Sequence, residues 1–461
     1  MNVLLVKPYS KSDHIQPSLG LAYLASSIRH KHNVFLLDML RLDIRDSSFR
    51  EYLKQKKYDV IGFQLYTVEL EIVRKLLLIV RDISPTIITI VGGPHATVCP
   101  EETLKFFGDN IDFISIGEAE RNFPLFLDKI ENKDRNFSDV PGLGWQENNK
   151  ININPTVSFE NDLDKIGFPA WDLIRPQEYP PAQHGAFFKN FPIAPIITSR
   201  GCPIQCSFCS APIISGKRIR KRSPDNVLEE IKLLYHNYGI REIHIVDDNF
   251  TLDKQHAISV LQKIYDSNLG ISISFPNGLK VESLDEELLI LMKKCGVYLI
   301  SLGIESGSNR ILKLMNKKLT VEKIKEKVEL INKIGIDMAG FFILGFPSET
   351  KEEIEQTIKF SMQLPLIRAN YFNFLPLPGT KIYHELLQNG ELSHTDWSNF
   401  FFMTAPYAPQ GITNKHLRSL QRKAFIKFYS RPRIFLKNIC QIKSYSHFKY
   451  LLKRFYRWIL S

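Results

Sequence analysis

Cysteine is scarce in this chain and unevenly placed. Its 461 residues include six. Cys202, Cys206 and Cys209 fall within eight consecutive positions, whereas Cys99, Cys295 and Cys440 stand alone. Such clustering excludes a disulfide-stapled scaffold and points to a metal site in a reducing compartment. Long apolar runs are also missing, and none approaches the 18 residues that would suggest a spanning helix. The opening stretch, Met1 to Ser10, has no basic residues ahead of its short apolar run, so it reads as a first strand and not a secretory signal. The expected location is cytoplasmic, with at most attachment to a membrane surface. Acidic residues are absent from the C-terminal end: residues 415–461 carry thirteen Lys or Arg and no Asp or Glu. That exceeds the net charge of +11 for the whole chain, so the basic character belongs to this end alone. With 44% hydrophobic and 24% charged residues, the rest has the composition of a folded globular protein.

Short apolar runs alternate with amphipathic segments over the first 130 residues. Val3–Val6, Val34–Leu37, Val60–Phe63, Ile87–Val91 and Phe113–Ile116 predict five strands of a doubly wound parallel α/β sheet. Ligands of such sheets bind beyond the carboxyl ends of the strands. Those ends carry Lys7-Pro8-Tyr9, Gln64-Leu65-Tyr66, Gly92-Gly93-Pro94-His95 and Gly117-Glu118-Ala119-Glu120. Periodicity weakens over 136–190, which reads as a linker with a hairpin candidate at Asn148-Asn149. A second alternating series then predicts strands at Ile193–Thr198, Glu242–Val246, Ile271–Phe275, Tyr298–Gly303, Met338–Leu344 and Tyr371–Leu375. Six such units suggest a partial barrel over 191–390, with its chemistry at the C-terminal strand ends. Residues 391–461 read as a basic helical region. In its last segment Phe448, Leu451, Leu452, Phe455 and Ile459 share one helical face.

Thiolates are soft ligands for iron-sulfur clusters and zinc. The C-x3-C-x2-C run of Cys202, Cys206 and Cys209 offers three ligands on one short loop after a strand. A four-iron cluster held by three cysteines keeps one iron open to an outside ligand. The competing reading is zinc, with Cys295 or a histidine as fourth ligand.

This loop, following the first strand of a partial barrel and carrying Phe208 before its third cysteine, resembles the radical S-adenosylmethionine (SAM) superfamily. The resemblance covers about 190–385. It implies a 4Fe-4S cluster on Cys202, Cys206 and Cys209 whose open iron takes the amino and carboxylate groups of SAM. It further implies that Asp247 and Asn249, in Val246-Asp247-Asp248-Asn249, contact the SAM amino group. Glu305 and Ser306, in Gly303-Ile304-Glu305-Ser306-Gly307, would reach the ribose or carboxylate. Gly345-Phe346-Pro347-Ser348-Glu349 and Leu375-Pro376-Leu377-Pro378-Gly379-Thr380 match in order at the next two strand ends.

The front domain, 1–135, is similar to the cobalamin-binding domain fused ahead of many radical SAM proteins, through Pro17-Ser18-Leu19-Gly20, Gly92-Gly93-Pro94-His95 and Gly117-Glu118. The resemblance implies that Gly92, Gly93, His95, Gly117 and Glu118 line cobalamin. The D-x-H-x-x-G pattern that supplies an axial histidine elsewhere is absent, since Asp13-His14 has the wrong spacing. Methylthiotransferases carry three cysteines in the front domain, and this one holds only Cys99.

The expected function is therefore a cobalamin-dependent radical SAM enzyme, resembling the class B methyltransferases. It would methylate an unactivated carbon through a 5'-deoxyadenosyl radical and methylcobalamin. The alternatives are a cobalamin-dependent cyclase or oxidoreductase without net methyl transfer, and a non-catalytic metal-binding protein whose basic end binds nucleic acid or membrane. Expected partners are a small-molecule or lipid-like substrate, an external reductant such as flavodoxin or ferredoxin, and a membrane surface met by the basic end. No nucleic acid is expected, because no recognised binding module is present.

Overall fold

A computed structural model describes residues 1–10, 15–155, 159–181, 187–392, 397 and 400–460. Asp13 and His14 lie outside the described residues. The chain divides into two units, one formed by 1–180 with 210–217 and 396–398, the other by 181–209, 218–395 and 399–461.

The first unit is built on a seven-stranded sheet. Its strands are β1 (Asn2–Lys7), β2 (Asn33–Asp38), β3 (Val60–Gln64), β4 (Ile88–Gly92), β5 (Phe113–Ser115), β6 (Leu143–Glu147) and β7 (Lys150–Ile153). Their spatial order is β2-β1-β3-β4-β5-β6-β7, and the first five run parallel. Strands of a parallel sheet are covered on both faces and so read as continuous apolar runs. In β1, Leu4 and Val6 pack into one buried cluster with Phe49, Phe63 and Leu76. Val3 and Leu5 enter another with Leu21, Ala25 and Phe126. Residues 136–180 differ from the sequence expectation of a linker. They belong to this unit, because β6 adds antiparallel to β5 and β7 to β6. Asn148 and Asn149, with φ of 50° and 61°, form the tight turn between them, a conformation that asparagine tolerates.

The second unit holds β8 (Ile193–Ile196), the short pair β9 (Ser199–Arg200) and β10 (Arg220–Lys221), then β11 (Glu242–Ile245), β12 (Ser272–Leu279), β13 (Val297–Glu305), β14 (Asp337–Leu344) and β15 (Arg368–Asn373). Six of them form one parallel sheet in chain order, β8-β11-β12-β13-β14-β15. The last strand begins and ends earlier than the sequence suggests. The five long helices between these strands each start at a side-chain cap: Ser223, Asp253, Asp285, Thr320 and Thr350 all accept from a backbone N–H three residues on. Thr350 forms a full capping box with Glu353.

The open edge of β15 meets the basic C-terminal region. Helix Asn414–Tyr429 packs there through Leu417, Leu420, Ala424 and Phe428, all buried. Gln421 Nε2 donates to Tyr371 O at 2.6 Å and its Oε1 accepts from Asn373 Nδ2 at 2.9 Å. Tyr429 OH donates to Ala369 O at 3.1 Å and accepts from Ala369 N at 3.3 Å. Two side chains two turns apart thus satisfy edge groups that would otherwise stay unpaired. Two further helices follow, Pro432–Cys440 and Tyr445–Leu460. Among the described residues, no helix is long and apolar enough to cross a membrane.

Candidate functional site

The cysteine loop leaves β9 directly. Its entry is held by two neighbouring aspartates at the end of β11. Asp247 is buried and accepts from Thr198 N at 2.7 Å, Thr198 Oγ1 at 2.6 Å and Ser199 Oγ at 2.7 Å. Burial raises its carboxyl to about 6, against those hydrogen bonds. Asp248 Oδ2 accepts from Gly201 N at 3.0 Å, immediately before Cys202. The loop is pinned on its other side by the turn after helix Asn309–Leu314. Ser207 N donates to Met315 O at 3.1 Å, and Asn316 Nδ2 to Gln205 O at 2.7 Å. Phe208 packs against the buried cluster of Ile311, Met315, Phe346 and Phe374, so the aromatic before the third cysteine anchors the loop.

All three loop cysteines are half-buried and outside any disulfide. Burial raises Cys202 and Cys206 above the ordinary thiol range, and Lys317 and Lys280 oppose that rise. Three thiolates on one short loop are the soft donor set that an iron-sulfur cluster takes, with one iron left for an outside ligand.

Lys317 and Glu305 form an ion pair of 2.8 Å, with side chains 12% and 9% exposed. Glu305 ends β13 with φ of +65°. A Cβ on Gly303 would come within 2.7 Å of Glu305 Oε1 and 2.9 Å of Lys317 Nζ, so glycine makes room for the pair. Lys280 Nζ forms a second ion pair with Glu282 Oε1 at 3.4 Å; Glu282 lies within Coulombic reach of Lys317, and both of its oxygens are buried without a hydrogen bond. Two lysines and two carboxylates thus cluster beyond the C-terminal ends of β12 and β13, and Glu282 Oε2 is uncommitted. This donor set suits a zwitterionic ligand such as SAM.

The other sequence-predicted residues divide. Ser306 is fully buried and faces helix Lys351–Gln363, with Thr357 Oγ1 at 3.1 Å and Ser308 N donating to it. Asn249 accepts from Thr251 Oγ1 at 3.3 Å. Asp247 is committed to Thr198 and Ser199 at the start of β9. Lys317 and Lys280 escaped sequence reading, because a lysine in a polar turn has no periodic signal; Asp248 stood in the Val246-Asp247-Asp248-Asn249 motif, but its bond to Gly201 N had no mark there.

In the first unit the glycine-rich strand ends form a half-buried cradle. Gly92 ends β4 and Gly93 follows it. Gly93 has φ of 117°, and a Cβ there would sit 3.1 Å from Leu65 O. Gly117, with φ of 77°, follows β5. Together with Glu118, Arg121, Asn122 and Phe159, Gly117 lines a cavity of about 220 Å³. Tyr66, at the end of β3, is 44% exposed. His95 is 1% exposed, with its Nδ1 3.0 Å from Thr67 Oγ1 and its ring edge-on to Trp397 at 5.3 Å. Burial lowers its pKa to about 4, so the imidazole is neutral and enclosed. Glycines that bare the backbone suit a broad, flat ligand such as a corrin.

Residues 196–361 match the Radical SAM superfamily and residues 9–127 match the B12 binding domain. An uncharacterized methyltransferase of Pyrococcus horikoshii is 33% identical over the whole chain and 98% of its own length. The chain belongs to the cobalamin-binding radical SAM methyltransferases. The cytidylyl-2-hydroxyethylphosphonate methyltransferase of Streptomyces wedmorensis is 28% identical over 81% of this chain and 78% of its own. In fold, the chain matches the cobalamin-dependent SAM radical enzyme OxsB, solved with aqua-cobalamin and SAM bound, at a TM-score of 0.76 and 18% identity. The match spans 99% of this chain and 71% of that one. This radical SAM enzyme takes a 4Fe-4S cluster, SAM and cobalamin as its cofactors.

Proposed function

We propose that this radical SAM protein methylates an unactivated carbon of a small-molecule or lipid-like substrate, drawing electrons from an external protein reductant of the flavodoxin or ferredoxin type in a reducing cytoplasm. When bound, the three cofactors supply reductive cleavage of SAM, hydrogen abstraction and a transferable methyl group, which is chemistry the side chains do not provide. What the chain contributes is placement. Cys202, Cys206 and Cys209 hold the cluster through a loop whose two flanks are fixed by Asp248 and by Met315-Asn316. Glu305, Lys317, Lys280 and Glu282 present paired charges to the amino, carboxylate and hydroxyl groups of SAM. Asp247 and Ser306 act by holding strand ends in register, and Asn249 remains available at the end of β11. In the front unit Gly92, Gly93, Gly117 and Glu118 would line the corrin, and His95, buried beside Thr67 and Trp397, would support the loop that carries Gly93.

The observation that carries this reading is the cysteine loop with the Lys317–Glu305 pair beside it. Anaerobic reconstitution with iron, sulfide and hydroxocobalamin, followed by SAM and reductant, tests it. About four irons and one cobalt per chain are expected, with 5'-deoxyadenosine formed by the native protein and none by Cys206→Ala. Four irons without cobalt would remove the methyl carrier, and a product lacking one added CH2 unit would favour cyclisation or oxidation.

A further inference from the structure

We infer that the C-terminal helices form a docking surface for an anionic lipid bilayer. Six of the eighteen large apolar side chains exposed among the described residues lie between 435 and 452. Phe435, Leu436 and Ile439 fall on one face of helix Pro432–Cys440. Its opposite face is anchored, with Ile434 buried and Lys437 Nζ 2.6 Å from Asp337 Oδ1 on β14. The next helix repeats the arrangement. His447 is buried with its ring 5.1 Å from that of Phe188, whereas Tyr445, Phe448 and Leu452, spaced i, i+3 and i+7, are exposed. Leu436 and Tyr445 stand 60% and 71% free. Each helix is therefore anchored on one face and shows a strip of apolar side chains outward, an arrangement that a folded surface seldom sustains without a partner.

Charge decides among occupants. Residues 415–461 contain thirteen cations and no anion, and Arg433, Lys443 and Lys449 are exposed beside the apolar strips. Lys449 Nζ lies 4.9 Å over the Tyr445 ring, its charge next to an aromatic of the kind favoured at bilayer interfaces. A second copy of this face would bring like charges together. A nucleic acid would take the cations but gain nothing from Leu436, Ile439 and Leu452, which cannot stack on bases. Acidic headgroups over an apolar layer use both features at once. The inference does not depend on methyl transfer, because binding is read without turnover.

Sedimentation of the full chain, reconstituted with its cofactors, against sucrose-loaded vesicles tests it. We expect retention on phosphatidylcholine vesicles containing roughly one third phosphatidylglycerol and none on phosphatidylcholine alone. The apolar variant Phe435→Asp/Leu436→Asp and the charge variant Lys443→Glu/Lys449→Glu should each weaken partitioning by about tenfold, with melting temperature and iron content unchanged. No retention on the anionic vesicles, or equal retention of both variants, overturns the proposal. So does binding of a short RNA at the same salt without vesicle binding, or a concentration-dependent dimer that the apolar variant abolishes while vesicles remain unbound.

Discussion

Lys317 and Glu305 meet at 2.8 Å over the position where any residue but glycine at 303 would place a side chain. Their mutual compensation keeps two buried charges tolerable, since either alone would bear the full cost of desolvation. Lys317 also lies within Coulombic reach of Cys206. Lys317→Met therefore removes a positive charge beside the cluster ligands and leaves Glu305 unpaired. The reconstituted cluster should be harder to reduce, its midpoint potential falling by an amount on the order of tens of millivolts. An EPR-monitored redox titration reads this directly, and an unchanged potential would show that the pair is purely structural.

Gly303→Ala should be harmful although only one methyl is added. Contacts of 2.7 and 2.9 Å to Glu305 and Lys317 require the ion pair to move, at a cost of about 1–3 kcal/mol. Chemical denaturation of the cofactor-free protein measures it. Combining Gly303→Ala with Lys317→Met should cost less than the sum of the two separately, because the second change removes half of the obstruction.

Asp247 separates a positioning role from ligand contact. It accepts three hydrogen bonds from Thr198 and Ser199, so Asp247→Ala strands buried donors and should destabilise by about 2–4 kcal/mol. Iron retention should fall with it. Asp247→Asn retains one acceptor oxygen and should keep most of the iron, and its SAM dissociation constant should stay within about twofold of the parent. A large loss of SAM affinity with iron intact would instead put the side chain on the ligand.

Glu349 gives a pH signature. It is buried, accepts from Gly345 N at 2.6 Å and Phe346 N at 3.0 Å, and leaves Oε1 without a partner. Burial raises its pKa from 4.5 to about 8. An acid whose folded pKa lies above its unfolded value contributes fully below the unfolded pKa, and its contribution is lost as pH rises through the folded one. The melting temperature should thus decline as pH rises from about 5 to 9. Glu349→Gln, neutral throughout, should flatten that decline by a few degrees. Scanning calorimetry across the range would show parallel curves if Glu349 were ionised in the folded state.

At the barrel edge, Gln421→Ala frees Tyr371 O and Asn373 Nδ2. The expected loss is about 1–2 kcal/mol, with faster amide exchange in β15 than in β13. Tyr429→Phe should lose less, since the Ala369 bonds at 3.1 and 3.3 Å are longer.

Much of this is legible in the amino-acid sequence alone. The β1 to β5 alternation and the six barrel strands are local patterns of apolar periodicity, and the C-x3-C-x2-C loop needs only its own eight residues to be recognised. Asn148-Asn149 announced its turn because the left-handed conformation is a property of the residue type. The two strands beside that turn were harder: Leu143–Glu147 is glycine-bearing and half polar, and pairing with β5 is what makes it a strand.

What the amino-acid order determined alone was the periodicity, the turn chemistry and the ligand spacing, because each is set within one turn of chain or one loop. Only the tertiary structure decided which charges meet. It brought Lys317 to Glu305 across twelve residues, Asp248 to Gly201 across forty-seven and Gln421 to Tyr371 across fifty. It also turned Asp247 and Ser306 toward strand and helix partners and enclosed His95 beside Thr67. Pairing between distant residues depends on how whole elements pack, and a lone polar side chain carries no mark in the sequence of the partner it will find.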